Sequence, residues 1–334
     1  MRVVAAPDKL RGTATARDVA AVVGRAAAAA GWSCTEVPLA DGGEGTLDVL
    51  GGPNRATSVT GPLGDPVTAA WRLDGRTAVI ETAQASGLAL VGGADGNDPV
   101  AASTVGTGEL IGTAVDSGAR RVLVGLGGSA STDGGLGALR ALYPLHRLTG
   151  IELVVLCDVR NRFVDAAEVF APQKGATPAQ VELLRRRLDR LADVYRADYG
   201  LDVRDLDGAG AAGGLAGGLA VAGGSLVPGF DAVVDELDLH DAVEGADLVI
   251  TAEGFLDKQS FEGKVVGGVA GLAAVLSVPC VAIVGEVVDD LNPPGKGLEV
   301  VSLVGRFGRD RAHTHTLACI EVVAGELLSS PRGR

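Results

Sequence analysis

The chain has 334 residues, 47% hydrophobic but only 3% aromatic, with 50 glycines and a formal net charge of −13 at pH 7. That length suits roughly two domains, and so few aromatic residues mean cores built from Ala, Val and Leu. The acidic balance argues against a nucleic-acid surface; the apolar run 215–227 is too short and glycine-rich to span a membrane, and the first residues read as a strand and its turn rather than as a basic segment leading into an apolar stretch.

Short β-branched runs alternate with longer Ala/Leu-rich stretches, the pattern of an α/β protein with largely parallel sheets. In chain order it predicts a strand at 2–5, a helix at 14–30, strands at 35–38, 67–73 and 77–81, a helix at 106–117, and strands at 121–126 and 152–157. A helix at 178–195 follows, with Thr177 as its N-cap and Pro178 in its first turn. Then come a strand at 247–251, a helix at 265–276, strands at 280–284 and 299–303, a helix at 313–328 and a frayed end at 331–334. Asp74-Gly75-Arg76 is a hairpin signal in an otherwise parallel pattern. It assigns the strands near 2, 35, 247, 280 and 299 to one doubly wound sheet built from both chain ends. Those near 67, 77, 121 and 152 then form an inserted mixed-sheet α/β domain. The domains are expected at 1–57 with 246–334, and at 58–245. The dispersed Cys34, Cys157, Cys280 and Cys319 lack metal-ligand spacing and read as ordinary thiols of a cytoplasmic protein.

Polar clusters stand where these strands end. "APDKLRGT" (6–13) follows the first strand. Asp8 reads as a cap for the next helix. Lys9 and Arg11 put two cations at a strand's carboxyl end, where ligands of open α/β sheets collect. "PLADGGEGTLDVL" (38–50) sets Asp41, Gly42, Gly43 and Glu44 before a helix, either as a capped turn or as a site. "GLGGSASTDGG" (125–135) packs five glycines around one aspartate. Gly127, Gly128, Ser129 and Gly134 could turn backbone N–H groups onto a phosphate, or merely form a tight turn. No Lys follows in the P-loop position. In "DGAGAAGGLAGGLA" (207–220), Gly217 and Gly218 suit close helix packing, while Gly213 and Gly214 suit packing or a second phosphate loop. "DLVITAEGFLDKQSFEGK" (247–264) delivers Glu253 and Asp257 with Lys264, the parts needed to hold a magnesium-bound triphosphate. Together these clusters point to phosphoryl transfer.

Taken in order, these motifs resemble the bacterial type of glycerate kinase, from residue 1 to about 328. The resemblance also runs through "GPLGDPV", "IETAQASGL", "STVGTGELI", "CDVRN" and "FAPQKGAT". It implies a flavodoxin-like domain carrying an inserted second domain, and ATP- and Mg²⁺-dependent phosphorylation of D-glycerate, at the 2-hydroxyl. It places Asp41, Asp133 and Asp257 at the reaction, matches Lys264 to a basic position there as a further catalytic candidate, and sets Arg11 on the substrate carboxylate or a phosphate; Asp133 and Asp257 are the first candidates for the base, and the strand-end carboxylates Glu253 and Asp257 for metal ligands. A homodimer is compatible with it. Lys9 departs from the family's usual serine, Phe255 from its usual arginine, and 143–150 is shorter than in relatives. These departures keep open a non-catalytic relative or a kinase for another small hydroxy acid. Asp133→Asn is expected to spare the fold and lower turnover about 10²-fold or more.

Overall fold

In this computed structural model, residues 1–261, 263–288 and 298–329 are described; the 331–334 end lies outside them. Their strands, in chain order, are β1 (Arg2–Ala5), β2 (Ser33–Glu36), β3 (Arg55–Thr60), β4 (Pro66–Asp74), β5 (Thr77–Glu81), β6 (Arg121–Gly125), β7 (Glu152–Leu156), β8 (Ser225–Val227), β9 (Leu248–Leu256), β10 (Cys280–Val287) and β11 (Leu298–Ser302). The chain divides into two units, Met1–Asp41 with Phe230–Arg334, and Gly42–Gly229.

In the first unit β11-β10-β9-β1-β2 form a sheet whose pairs are all parallel. Within the unit that order is 2-1-3-4-5, a flavodoxin-like order, in keeping with the doubly wound sheet expected from both chain ends and the fold that the resemblance implies. Val3, Ala5, Ile250 and Ile283 bury one face of the sheet against the helices Ala16–Ala29 and Thr316–Ser329. On the first helix the buried positions Val19, Ala20, Val22, Val23, Ala26 and Ala27 fall on one stripe, the 3.6-residue spacing that suits a helix lying on a sheet. The small side chains there let the helix approach the strands closely. Leu256, Val266, Ala282 and Val284 form a separate cluster with the helix Val265–Val275.

In the second unit β3-β4-β5-β6-β7-β8 form a mixed sheet. β3, β4 and β5 pair antiparallel, and β5 to β8 pair parallel. The antiparallel β4–β5 hairpin turns at Asp74–Thr77, where Asp74-Gly75 signalled it. Trp71, Ile80, Leu110, Ile111, Val122 and Val124 fill the main core. A second cluster gathers Phe163, Leu184, Leu188 and Tyr195 beneath the helix Pro178–Tyr199. That helix begins with a capping box in which Thr177 and Gln180 bond each other's backbone, with Pro178 in the first turn.

Several elements differ from expectation. β3 exposes half of its residues and buries only Val59, so no alternation betrays it, and the three-residue β8 is too short to signal itself. The helix expected at 313–328 breaks at His315, whose φ of −129° and ψ of 40° separate Arg309–Thr314 from Thr316–Ser329. Asp8 is not the cap of the first helix. Thr15 stands directly before that helix and accepts the N–H of Asp18, whereas Asp8 accepts the N–H of its neighbour Lys9 at 2.7 Å. No helix among the described residues is long and apolar enough to cross a membrane.

Candidate functional site

In the first unit the strand order reverses between β1 and β9, and ligands of open α/β sheets bind outside the strand carboxyl ends at such a point. Asp8, Lys9 and Arg11 follow β1, Asp41 follows β2, and Glu253 stands near the carboxyl end of β9. β1 and β9 run in register from Val3 beside Leu248 to Ala5 beside Ile250, and the N–H of Asp8 then donates to the Ala252 carbonyl at 2.8 Å. The first loop thus stays attached to the neighbouring strand beyond the ladder. Gly254 lets the backbone of Leu10 and Arg11 pass close by, since a Cβ there would lie 3.3 Å from the Arg11 nitrogen.

The charges in this group act on one another. Burial pushes the Asp8 carboxyl up to about 6, against the pull of Lys9, and Asp41 pushes it further. Burial pushes Glu253 up to about 7; a Ser260 hydrogen bond and Lys264 oppose the rise, and Asp8 and Asp257 add to it. Asp257 caps the turn Lys258–Phe261, its Oδ1 accepting the Ser260 N–H at 3.0 Å. Lys264 is the N-cap residue of the helix Val265–Val275. Glu253 is only 7% exposed, and its Oε1 is buried without a hydrogen-bond partner. Such an oxygen costs stability unless a bound group satisfies it, and hard oxygen ligands of this kind suit Mg²⁺. The buried oxygen of Glu253 would fit a hard cation such as Mg²⁺. Phe255, which follows Gly254, is 49% exposed.

In the second unit the structure gathers the glycine loops 42–45 and 125–128. The N–H of Leu126 donates to the Gly42 carbonyl at 3.2 Å, and a Cβ on Gly127 would lie 2.7 Å from the Glu44 nitrogen. Buried Glu81, at the end of β5, locks the first loop by accepting the N–H groups of Gly45 and Leu47, both at 2.8 Å. Sequence reasoning gave Glu81 no role. Its signal was a carboxylate ending an apolar strand.

Beyond its exposed tip at Gly128, the 125–135 loop is held by protein groups. Asp133 accepts the N–H groups of Thr104 at 2.9 Å, Gly135 at 3.0 Å and Gly137 at 3.2 Å. It also accepts the hydroxyls of Thr104 at 2.8 Å and Ser103 at 3.3 Å. The Gly135 and Gly137 donors that a phosphate could have used are thus taken by the loop's own aspartate. Ser129 is buried, its hydroxyl 3.2 Å from that of Ser131 and 3.4 Å from the Ala212 carbonyl. The Gly134 carbonyl accepts the hydroxyl of buried Tyr195 at 3.0 Å. Gly213 and Gly214 lie at φ of +71° and +88°, and a Cβ on Gly213 would sit 2.0 Å from the Ser131 oxygen. Close backbone packing needs their bareness.

Lys174, from "FAPQKGAT", is the residue that sequence reasoning passed over most completely. It is 3% exposed, and its ammonium donates to the Ser131 carbonyl at 2.5 Å. Burial pulls its pKa down to about 7, although Asp133 opposes that shift. Asn97 ties the same region together by donating to the Ala130 carbonyl at 3.1 Å and the Lys174 carbonyl at 2.9 Å.

Comparison with known proteins agrees with this architecture. The model of the glycerate kinase family matches residues 3–143 and 144–318. A Bacillus subtilis protein named glycerate kinase is 39% identical, with 87% of each chain covered. An Escherichia coli protein named glycerate 2-kinase is 38% identical, again over 87% of each chain. A crystal structure described as a candidate glycerate kinase 2 from Salmonella typhimurium LT2 superposes with a TM-score of 0.84 at 34% identity, covering 98% of this chain and 97% of the other. The matched residues take in both sheets and every polar cluster described above, so this chain belongs to the glycerate kinase family.

Proposed function

We propose that this protein transfers the γ-phosphoryl group of ATP to the 2-hydroxyl of D-glycerate with Mg²⁺. The relatives named glycerate kinase and glycerate 2-kinase support the substrate and the position. What carries the chemistry is the first unit's switch point, where the unpartnered buried oxygen of Glu253 lies among further carboxylates and basic side chains.

In this reading Lys9, Arg11 and Lys264 meet phosphate oxygens and the substrate carboxylate, while Glu253 and Asp257 hold the cation. Bound Mg²⁺ would screen charge on the phosphates. Asp41 accepts the hydroxyl proton as the glycerate oxygen bonds to the γ-phosphorus, and ADP leaves with the electrons of the broken P–O bond. Within the second unit, Gly127 and Gly128 lie in the glycine-rich loop, whose backbone N–H groups would add no negative charge beside an anion. Asp133 is a positioning residue, because its carboxylate is occupied in holding the loop.

A coupled ADP-release assay over a panel of small hydroxy acids, with and without Mg²⁺, tests the reading. The expected result is Mg²⁺-dependent ADP release with D-glycerate, with phosphorus NMR identifying 2-phosphoglycerate. Folded, ATP-competent protein that releases no ADP with glycerate overturns it, and a 3-phosphoglycerate product overturns the position alone.

A further inference from the structure

We propose that Asp8 is a direct ligand of a divalent cation at the first unit's switch point, sharing it with Glu253. This deepens the reading above and rests on its placement of Mg²⁺ in that unit. Three observations carry it. First, Asp8 follows β1 and Glu253 lies within the adjacent parallel strand β9, on the two sides of the strand-order reversal, and the Asp8 N–H is bonded to the Ala252 carbonyl, one residue before Glu253. Second, Glu253 Oε1 is a fully buried acceptor with no donor. The Asp8 Oδ1 accepts its own neighbour's N–H, in contrast to the crowded carboxylate of Asp133. Third, the group is over-supplied with anions: Asp8, Asp41, Glu253 and Asp257 act on one another, against Lys9, Arg11 and Lys264. A triphosphate would draw those cations to itself, leaving the carboxylates to a hard metal ion. Two carboxylates from adjacent strands give such an ion a rigid seat, and further positions remain for water and phosphate oxygens.

Mn²⁺ alone, titrated into the whole protein without nucleotide and followed by the loss of its free electron-spin-resonance signal, reads the seat directly. The parent should bind one ion, and Asp8→Asn and Glu253→Gln should each weaken it by roughly tenfold or more, the scale of a lost ligand shell member. Asp8→Asn should also melt at or above the parent without metal, because it removes a repelled carboxylate, and should lose the rise in melting temperature that Mn²⁺ gives the parent. A residue that only braces the loop would lower the metal-free melting point instead. The exposed trio His240, Asp241 and Glu244, whose ligand atoms lie within 4.8 Å of one another, is the competing position. Loss of binding in Asp241→Asn but not in Asp8→Asn overturns the proposal, as does parental Mn²⁺ affinity in a folded Asp8→Asn protein. If Asp8→Asn does not fold, Glu253→Gln decides by the same titration. Mn²⁺ binding that depends on Asp8 in a protein without glycerate kinase activity would sink the proposed function and leave this inference standing. Activity with Asp8-independent Mn²⁺ binding would do the reverse.

Discussion

Asp133 carries more hydrogen-bond donors than a reacting carboxylate would keep. Three N–H groups and two hydroxyls point at it. That geometry changes the outcome expected of Asp133→Asn. The amide would turn an NH₂ group toward donors and leave at least one of them unpaired, a loss of about 1–3 kcal/mol. We therefore expect a lower melting temperature together with reduced turnover. Melting curves that overlay the parent, with turnover down about 10²-fold, would restore Asp133 as a chemical group. Glu81 works in the same way for the neighbouring loop, through two backbone N–H groups at 2.8 Å. Both carboxylates shape glycine-rich backbone that has no side chains of its own to shape it.

At the scale of elements, the loop after β6 depends on the turn Pro172–Lys174, because that turn delivers a buried ammonium to the Ser131 carbonyl. The charged group acting on it is Asp133, which favours the ammonium. Burial lowers the pKa of Lys174 from 10.5 to about 7, so between those values the unfolded chain binds more protons than the folded one. Stability contributed at this site therefore rises as pH climbs from about 7 toward 10.5 and is level below 7. In Lys174→Met that rise disappears. The parent's advantage over the variant, from denaturant unfolding at a series of pH values, should grow from pH 7 to pH 9; a constant difference would show an ammonium with an ordinary pKa. The helix Ala211–Val221 shows a related dependence on its surroundings. Ala212, Gly213 and Gly214 take left-handed backbone at its start so that the chain can pass against Ser131 and Thr132.

For the whole molecule, the two units have separate interiors. Val3, Val19, Ile250 and Ile320 belong to one, while Trp71, Ile80, Leu110 and Val124 belong to the other. The second unit is one continuous segment whose ends meet, since a Cβ on Gly42 would lie 2.9 Å from the Gly229 Cα. A segment with its own core and adjacent ends has what an independently folding domain needs. Residues 42–229 expressed alone should melt cooperatively with dispersed amide NMR signals. A broad, non-cooperative transition would show that this unit needs the rest of the chain.

The sequence by itself determined the α/β class, the sharing of one sheet by strands from both chain ends, the β4–β5 hairpin and the Thr177 cap. Each rests on a local cause: apolar runs that must be buried, Asp-Gly at a tight turn, or a hydroxyl one residue before a helix. It also marked the polar clusters, because charged and glycine-rich segments directly after apolar strands have few other reasons to be there. It could not rank the residues inside them. Asp8 and Asp133 are both single carboxylates in cation- or glycine-bearing loops, and only the tertiary structure shows Asp133 with five donors and Asp8 acting on Glu253, whose Oε1 has no donor. Lys174 was equally unreadable, since a lysine in a turn is ordinarily solvated, and the segments that bury it come from 94–97 and 129–133. Strand and turn formation depends on neighbours in sequence, whereas the state of a buried charge depends on groups brought to it from far along the chain.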